Sequence, residues 1–468
     1  MKLGERKIAG MQSLVLIAAL ASLQDSTAAP DLVALRGVWM GPSDDEFLAR
    51  ETDIAAACDF AWENGFNAVF PVVWRASGPM WPSLVTKTGG GIEMDPQWVD
   101  PKFVSRNVLT EIVIEGHRAG LEVVPVVDLI MVPKRDPKAA LNALDPALQK
   151  FTSELVDELV GMHEVDAIAF DAHGLEGFST LDDKGLVALG DFVANLRKTV
   201  DVRDKHVKFV LVDGGAAQAA WMERDLFDVA VARIGARDIA SWKKRVEVVK
   251  SEPWCTRAPG KAALFVDLGN GAWKAPADFV LAAIAFDRES GISSEVVSSL
   301  GALHREDGAL ATALAQEPFY GLALLPWRDG IAWRSRSDLV LPKAGEGPWE
   351  WIEGEGGVRL LQIANSVIAD ASWTLKVIEK GKYDLFTWVP PVEDVSTKFV
   401  YSVAKTDGVS ATTIDPTRPR YQGWVYLGTT SMNRRETREV AKLTTNASEP
   451  TKRTFAGPLV AIQSRRPR

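Results

Sequence analysis

The 468-residue chain has only two cysteines, five histidines and five tyrosines. Two thiols, Cys58 in an expected helix and Cys255 in an expected loop after Pro253-Trp254, cannot build a disulfide framework or a cysteine zinc cluster. They read as isolated structural thiols. No two histidines stand four apart, so the paired-histidine signature of a helical zinc site is missing. The reading therefore includes no metal and no cofactor. After the first expected strand stands Met40-Gly41-Pro42-Ser43, which does not fit the glycine-rich dinucleotide turn. No G-x-S-x-G elbow supports a nucleophilic serine, since Gly177-Phe178-Ser179-Thr180 lacks the second glycine. Basic residues cluster only briefly, at Lys243-Lys244-Arg245, Arg434-Arg435 and Arg465-Arg466, and the formal net charge is -9. An acidic chain of this kind is a poor nucleic-acid binder.

Long apolar runs are also scarce. Ser13 to Leu23 is the one candidate, and it is short for a bilayer. Lys2, Arg6 and Lys7 precede it, and the small residues Ser26-Thr27-Ala28-Ala29 follow. That order reads as a secretory signal peptide over residues 1–29. The expectation is a secreted, periplasmic or cell-surface protein with no membrane span after cleavage.

Four apolar, β-like runs end in aspartate: Val123 to Asp128, Ala167 to Asp171, Phe209 to Asp213 and Ala263 to Asp267. Continuous apolar runs mark buried parallel strands. Between them the helical period returns, with helix stops such as Gly65 and Gly120 and the Asp145-Pro146 start. Eight strand–helix alternations in about 290 residues predict an α/β chain whose first domain, residues 30–330, is a (β/α)8 barrel. From Trp349 to Ile462 the helical period disappears and short strands alternate with turn signals. That pattern predicts a smaller all-β sandwich over residues 348–468, joined by a linker at 331–347.

In a (β/α)8 barrel the C-terminal strand ends form the active-site floor. The four aspartates would then face one pocket, which points to carboxylate chemistry. Asp171 closes the fourth expected strand and Asp267 the seventh, and these two are the candidate catalytic pair. One carboxylic acid protonates a leaving oxygen while the other attacks the anomeric carbon or activates water. Asp128 and Asp213, closing strands three and five, are candidate substrate-binding residues. Trp39, Trp74 and Arg75 sit at the ends of strands one and two, where a tryptophan could stack on a sugar and an arginine could bind a hydroxyl or carboxylate. Trp81, in the long loop after strand two, reads as an exposed platform. His173 follows Asp171 closely enough to tune it. His117, on the far side from the pocket, reads as structural. The sixteen tryptophans suit sugar stacking, although cores use them too.

Several motifs resemble a known group. Leu35-Arg36-Gly37-Val38-Trp39, Phe66-Asn67-Ala68-Val69-Phe70 with Trp81-Pro82-Ser83, Gly116-His117-Arg118-Ala119-Gly120-Leu121-Glu122-Val123 and Val165 to Asp171 occur in the order found in the family-10-like glycosyl hydrolases. That resemblance implies an exported bacterial TIM barrel, a glycoside hydrolase acting on a polysaccharide or on peptidoglycan glycan strands. The sequence departs from the family at Ala172-His173, at Pro125 to Asp128 and at Ala232-Arg233-Ile234-Gly235. A non-catalytic carbohydrate-binding or cell-envelope protein is the alternative. Gly381 to Leu385, Trp388-Val389-Pro390, Tyr401-Ser402-Val403 and Gly423 to Thr429 resemble a golvesin or xanthan-lyase C-terminal domain. This implies carbohydrate or cell-surface binding. Trp424 is expected in its core.

Overall fold

The computed structural model describes residues 32–75, 78–95, 106–131, 142–172, 181–269, 273–319, 323–327, 338–354, 358–405, 408–418, 421–445 and 448–463, without the side chains of residues 32, 42, 43, 45, 75 and 216. The expected leader, residues 1–29, lies outside the described residues. Among the described residues no helix is long and apolar enough to cross a membrane.

The first domain is a run of parallel strands, each with its helix. The strands are β1 (Arg36–Met40), β2 (Ala68–Pro71), β3 (Glu122–Val123), β4 (Val126–Asp128), β5 (Ala167–Asp171), β6 (Lys208–Val212), β7 (Val229–Arg233), β8 (Ala262–Asp267) and β9 (Ser294–Ser298). The helices are α1 (Glu51–Glu63), α2 (Val108–Ala119), α3 (Pro146–Met162), α4 (Asp183–Arg203), α5 (Gln218–Glu223), α6 (Ile239–Ser251), α7 (Ala277–Glu289) and α8 (Leu300–Gln316), the last with a non-helical break at Arg305–Gly308. Local chemistry sets most of the starts. The side chains of Asn107, Asp145, Asp182, Asp238 and Ser299 each accept a backbone N–H in the first turn of α2, α3, α4, α6 and α8. Gly120, with φ 93°, ends α2 in the left-handed conformation that glycine adopts without strain. Cys255 lies in a short helix, Pro253–Arg257, rather than in the loop expected there, because Pro253 opens a turn of helix.

The strands form one curled sheet in the order β3-β2-β1-β9-β8-β7-β6-β5-β4, every neighbouring pair parallel. The third expected strand is thus two pieces at opposite edges of the sheet. Pro125 lies between them and has no N–H to give a ladder. Val124 N still donates to Val69 O of β2, at 2.9 Å, while Ala169 N of β5 donates to Pro125 O at 2.8 Å. Just beyond, Val73 N donates to Val126 O at 3.0 Å and Val72 bridges Val126 in parallel.

Alternate strand residues face opposite sides. Trp39, Phe70, Val126, Ala169, Val231 and Phe265 belong to a core inside the curl. Val38, Phe170, Phe209 and Leu264 face outward and pack with Ile112, Leu155, Leu196 and Val280 of the helices. On the outer side a hydrogen bond joins His117 Nε2 to Asp166 Oδ2 at 2.8 Å, and the same oxygen accepts from Val123 N at 2.8 Å. His117 is buried there.

The second domain contains three antiparallel sheets. Its strands are β10 (Lys343–Ala344), β11 (Glu350–Glu353), β12 (Arg359–Ala364), β13 (Asp370–Lys376), β14 (Gly381–Val389), β15 (Phe399–Lys405), β16 (Gly408–Ile414), β17 (Gly423–Met432), β18 (Thr437–Thr444), β19 (Arg453–Ala456) and β20 (Leu459–Gln463). The sheet orders are β10-β13-β18-β15-β16, β11-β12-β19 and β17-β14-β20. Trp373, Leu385, Tyr401, Val403, Leu443 and Phe455 form its core. Pairing begins inside the stretch expected as linker, where Val340 bridges Leu459 and β10 joins β13. The outer face of β17-β14-β20 is partly covered by the first domain, with Tyr426 left exposed. Phe386, Trp388, Trp424, Val460 and Ile462 pack there with Ile114 of α2. Trp424 is therefore buried at the seam between the two domains, outside the core expected for it.

The curl leaves little room inside at Gly37. A Cβ there would lie 2.5 Å from Phe70 Cε2 and 3.1 Å from Val296 Cγ2. Gly37→Ala is expected to destabilise the protein by about 1–3 kcal/mol, the usual cost of overpacking a core. Equilibrium denaturant unfolding checks this, and an unchanged midpoint would contradict the close approach.

Candidate active site

Period two decides which strand-end side chains enter the mouth of the curl. Inside-facing Val126, Ala169, Val231, Phe265 and Val296 are followed two residues later by Asp128, Asp171, Arg233, Asp267 and Ser298. These five, with Trp39, make the last inner layer. Asp128 and Asp171 are register partners on adjacent parallel strands, which run about 4.8 Å apart. Asp267 is register partner to Ser298, and Ser298 to Trp39.

Asp171 is half-buried and ion-paired. Arg233 Nη2 donates to its Oδ2 at 2.9 Å. The guanidinium of Arg233 also lies 4.3 Å from the Phe265 ring centroid and 5.2 Å from that of Trp39. Two rings and one carboxylate thus hold the arginine in place. Beneath it, Trp39 meets Phe265 edge-on at 5.3 Å and stacks with Phe70 at 6.3 Å. The indole is buried, and the ring offered at sequence level as a sugar platform is roofed by Arg233.

Asp267 is exposed, and local bonds orient it. Its Oδ1 accepts from Ser298 Oγ at 2.8 Å and from Gly269 N at 2.9 Å. Ser298 Oγ in turn accepts from Leu268 N at 3.0 Å. Asp128 is exposed at the rim. Asp213 departs from the other aspartates. It follows inside-facing Val212 by one residue, which removes it from the inner layer by parity, and its φ of 53° turns the chain there. Its N–H still donates to Val231 O at 3.0 Å.

Two expectations need correction. Trp81 is not an exposed platform: it is fully buried, and its Nε1 donates to Glu158 Oε2 at 3.3 Å. The loop carrying it folds as a short helix, Leu84–Thr88, and Glu158 of α3 accepts the Leu84 and Val85 N–H groups at its start. Trp74 is likewise unavailable for stacking, being buried edge-on against Phe151 of α3 at 6.1 Å. His173 and the Arg75 side chain lie outside the described residues. Among the described residues no three His, Cys, Asp or Glu side chains gather as a metal-binding group.

Arg233 and Ser298 were not singled out from the sequence. Counting parity along Val229 to Arg233 and Ser294 to Ser298 would have found both, because each is an inner-face polar residue closing a strand.

Residues 346–456 match the Golvesin C-terminal domain, so the second domain carries that module. No curated protein matches the chain. Several solved glycoside hydrolases are similar at low identity. A family-36 α-galactosidase from Geobacillus stearothermophilus is 11% identical over 89% of this chain and 56% of its own, with TM-score 0.39. An α-L-fucosidase from Paenibacillus thiaminolyticus is 13% identical over 61% and 48%, with TM-score 0.43. A chitobiase from Flavobacterium johnsoniae is 13% identical over 61% and 48%, with TM-score 0.41. The chain spans about half the length of these three structures.

The Arg233–Asp171 pair makes a measurable claim. Arg233→Ala is expected to cost about 1–2 kcal/mol, combining a partly screened ion pair with cation–π contact. In a double-mutant cycle with Asp171→Asn the two losses should overlap by about 0.5–1.5 kcal/mol. Strict additivity in denaturant unfolding would show that the pair contributes nothing.

Proposed function

We propose that the chain is an exported glycoside hydrolase that cleaves O-glycosidic bonds in a polysaccharide or peptidoglycan glycan strand. The observation that carries this reading is the alignment of Asp128, Asp171 and Asp267 in one inner layer at the C-terminal ends of parallel strands. On this reading the curled sheet closes as a (β/α)8 barrel. The Val72–Val126 bridge and the Val73–Val126 hydrogen bond support that closure, because they join the two sheet edges through one short stretch of chain. The antiparallel sheets around Trp373 and Tyr401 then form the appended sandwich.

Asp171 and Asp267 are the proposed acid/base pair. One carboxyl group delivers a proton to the leaving oxygen, and the other attacks the anomeric carbon or activates a water. Arg233 orients the Asp171 carboxylate, and Ser298 with the Gly269 amide orients that of Asp267. Asp128, beside Asp171, and the more remote Asp213 would contact sugar hydroxyls. His173 and Arg75 are proposed to line the same mouth. Export rests on the leader read at residues 1–29, and the Golvesin module is in keeping with it.

A second reading is a carbohydrate-binding or cell-envelope protein without turnover. The bonds already made by Asp171 and Asp267 favour it, since each carboxylate has one oxygen committed to a protein donor. Asp171→Asn separates the two. For a hydrolase it should lower turnover of the cleaved glycan by about 10²–10⁴-fold, with stability lowered only by the loss of the Arg233 pair, about 0.5–1.5 kcal/mol. Full activity in the variant would sink the assignment of Asp171. Glycan binding without turnover, in wild type and variant alike, would support the second reading.

A further inference from the structure

Three carboxyl groups are buried where the second domain meets the first. Glu111 and Glu115 stand one turn apart on α2, and Glu51 opens α1. Their relative exposures are 4%, 1% and 7%. Trp424 of β17 covers them. Its Nε1 donates to Glu115 Oε1 at 3.0 Å, across 309 residues of sequence. Glu51 lies against the Glu115 carboxyl and the same indole. Glu111 Oε1 faces Gly423, where an added Cβ would be 3.6 Å away. The apolar surround is Ile114 on one side and Phe386, Trp388, Val460 and Ile462 on the other.

The compensating cations come from the first domain. Arg106 Nε donates to Glu111 Oε1 at 3.0 Å, and the same guanidinium donates to Ala49 O. Arg118 bonds Glu115 and lies 3.0 Å from Asp59. Arg50 is committed to Asp53 at 2.7 Å in a more exposed pair. From the β domain, the charged residues on the same sheet face among the described residues are exposed Lys382 and Asp384. Asp384 is buried and accepts from Thr429 Oγ1. With Glu51, Glu111, Glu115 and Asp59 all ionised, four negative charges would face Arg106 and Arg118.

Three carboxyl groups withdrawn from water beside two arginines repel one another unless one of them carries a proton. Burial, and the carboxylates of Glu115 and Glu111, hold Glu51 well above the usual carboxylate range. Burial also raises Glu111, although Arg106 opposes the shift. We propose that this seam is an acid-closed latch: the β domain docks on α1 and α2 over a buried Glu51 that keeps its proton, and loss of that proton releases it. The docked state binds the proton more tightly than an open state in which Glu51 is hydrated. Docking is therefore fully supported in acid and is lost as the pH rises through the docked titration of Glu51. Release would uncover Trp388 and Trp424.

Small-angle scattering of the full chain from about pH 5 to about pH 9 tests the latch, with circular dichroism confirming that both domains stay folded. A compact particle in acid should expand on raising the pH, with the undocking constant changing about tenfold per pH unit, as for one proton. Glu51→Gln keeps a hydrogen-bond donor without a titrating proton, and it should stay compact across the range. A wild type that keeps one radius of gyration throughout, or a Glu51→Gln protein that expands at the wild-type midpoint, overturns the proposal. If Glu51→Gln does not fold, Glu111→Gln serves instead. Removing that neighbouring charge makes ionised Glu51 easier to keep docked, so the variant should be more compact than wild type at about pH 9, and a variant at least as expanded there overturns the proposal.

Discussion

A side chain in a parallel strand has two choices, inside the curl or outside it. The first domain is organised by that alternation. Inside, Trp39, Phe70, Val126, Ala169, Val231 and Phe265 fill the middle of the curl, and buried Ser294 at the start of β9 accepts the Leu35 N–H. Outside, Phe170, Phe209 and Leu264 meet the helices. Polar side chains occupy the inner face only at the strand ends, and Asp128, Asp171, Arg233, Asp267 and Ser298 stand at the mouth, where water is in reach. A one-residue slip in any strand would exchange its inner and outer sets and remove its contribution from this layer.

Within the layer the charges are arranged in pairs with their own donors. Arg233 is held by the Phe265 and Trp39 rings and engages Asp171, while Ser298 and the Gly269 amide engage Asp267. Such contacts fix the direction of each carboxylate, and the proposed hydrolysis would use that preorganisation. The seam between the domains follows a different logic. There, carboxyl groups are withdrawn from water beneath Trp424, and the cost of burial is offset by Arg106, Arg118 and the indole N–H of Trp424. The mouth keeps its acids wet, whereas the seam keeps its acids dry.

Asp171 was legible because its strand is a continuous apolar run with a single charged residue at the end. The order of strands and helices was legible for the same reason: period two and period 3.6 are local properties, and caps such as Asp145-Pro146 and Gly120 mark where one gives way to the other. Arg233 stands out in the sequence only through the alternation along Val229 to Arg233, because no motif marks Ala232-Arg233-Ile234-Gly235. Trp81 was misjudged because a loop rich in glycine and proline suggests exposure. The acceptor that draws its indole inward, Glu158, lies 77 residues further along the chain. Trp424 was placed in a core because alternation along its strand shows that one face is buried, without showing by what.

By itself, the sequence determined the alternation of strands and helices, the change to an all-β second half, and the presence of aspartate at four strand ends. Each follows from side-chain chemistry acting over a few residues. Tertiary structure alone decided that Asp171 pairs with Arg233, that Asp213 falls outside the inner layer, that Trp74 and Trp81 are buried, and that Glu51, Glu111 and Glu115 meet Trp424. These depend on register and on packing between segments tens to hundreds of residues apart, where the chain's path through space, and not its local pattern, sets which groups meet.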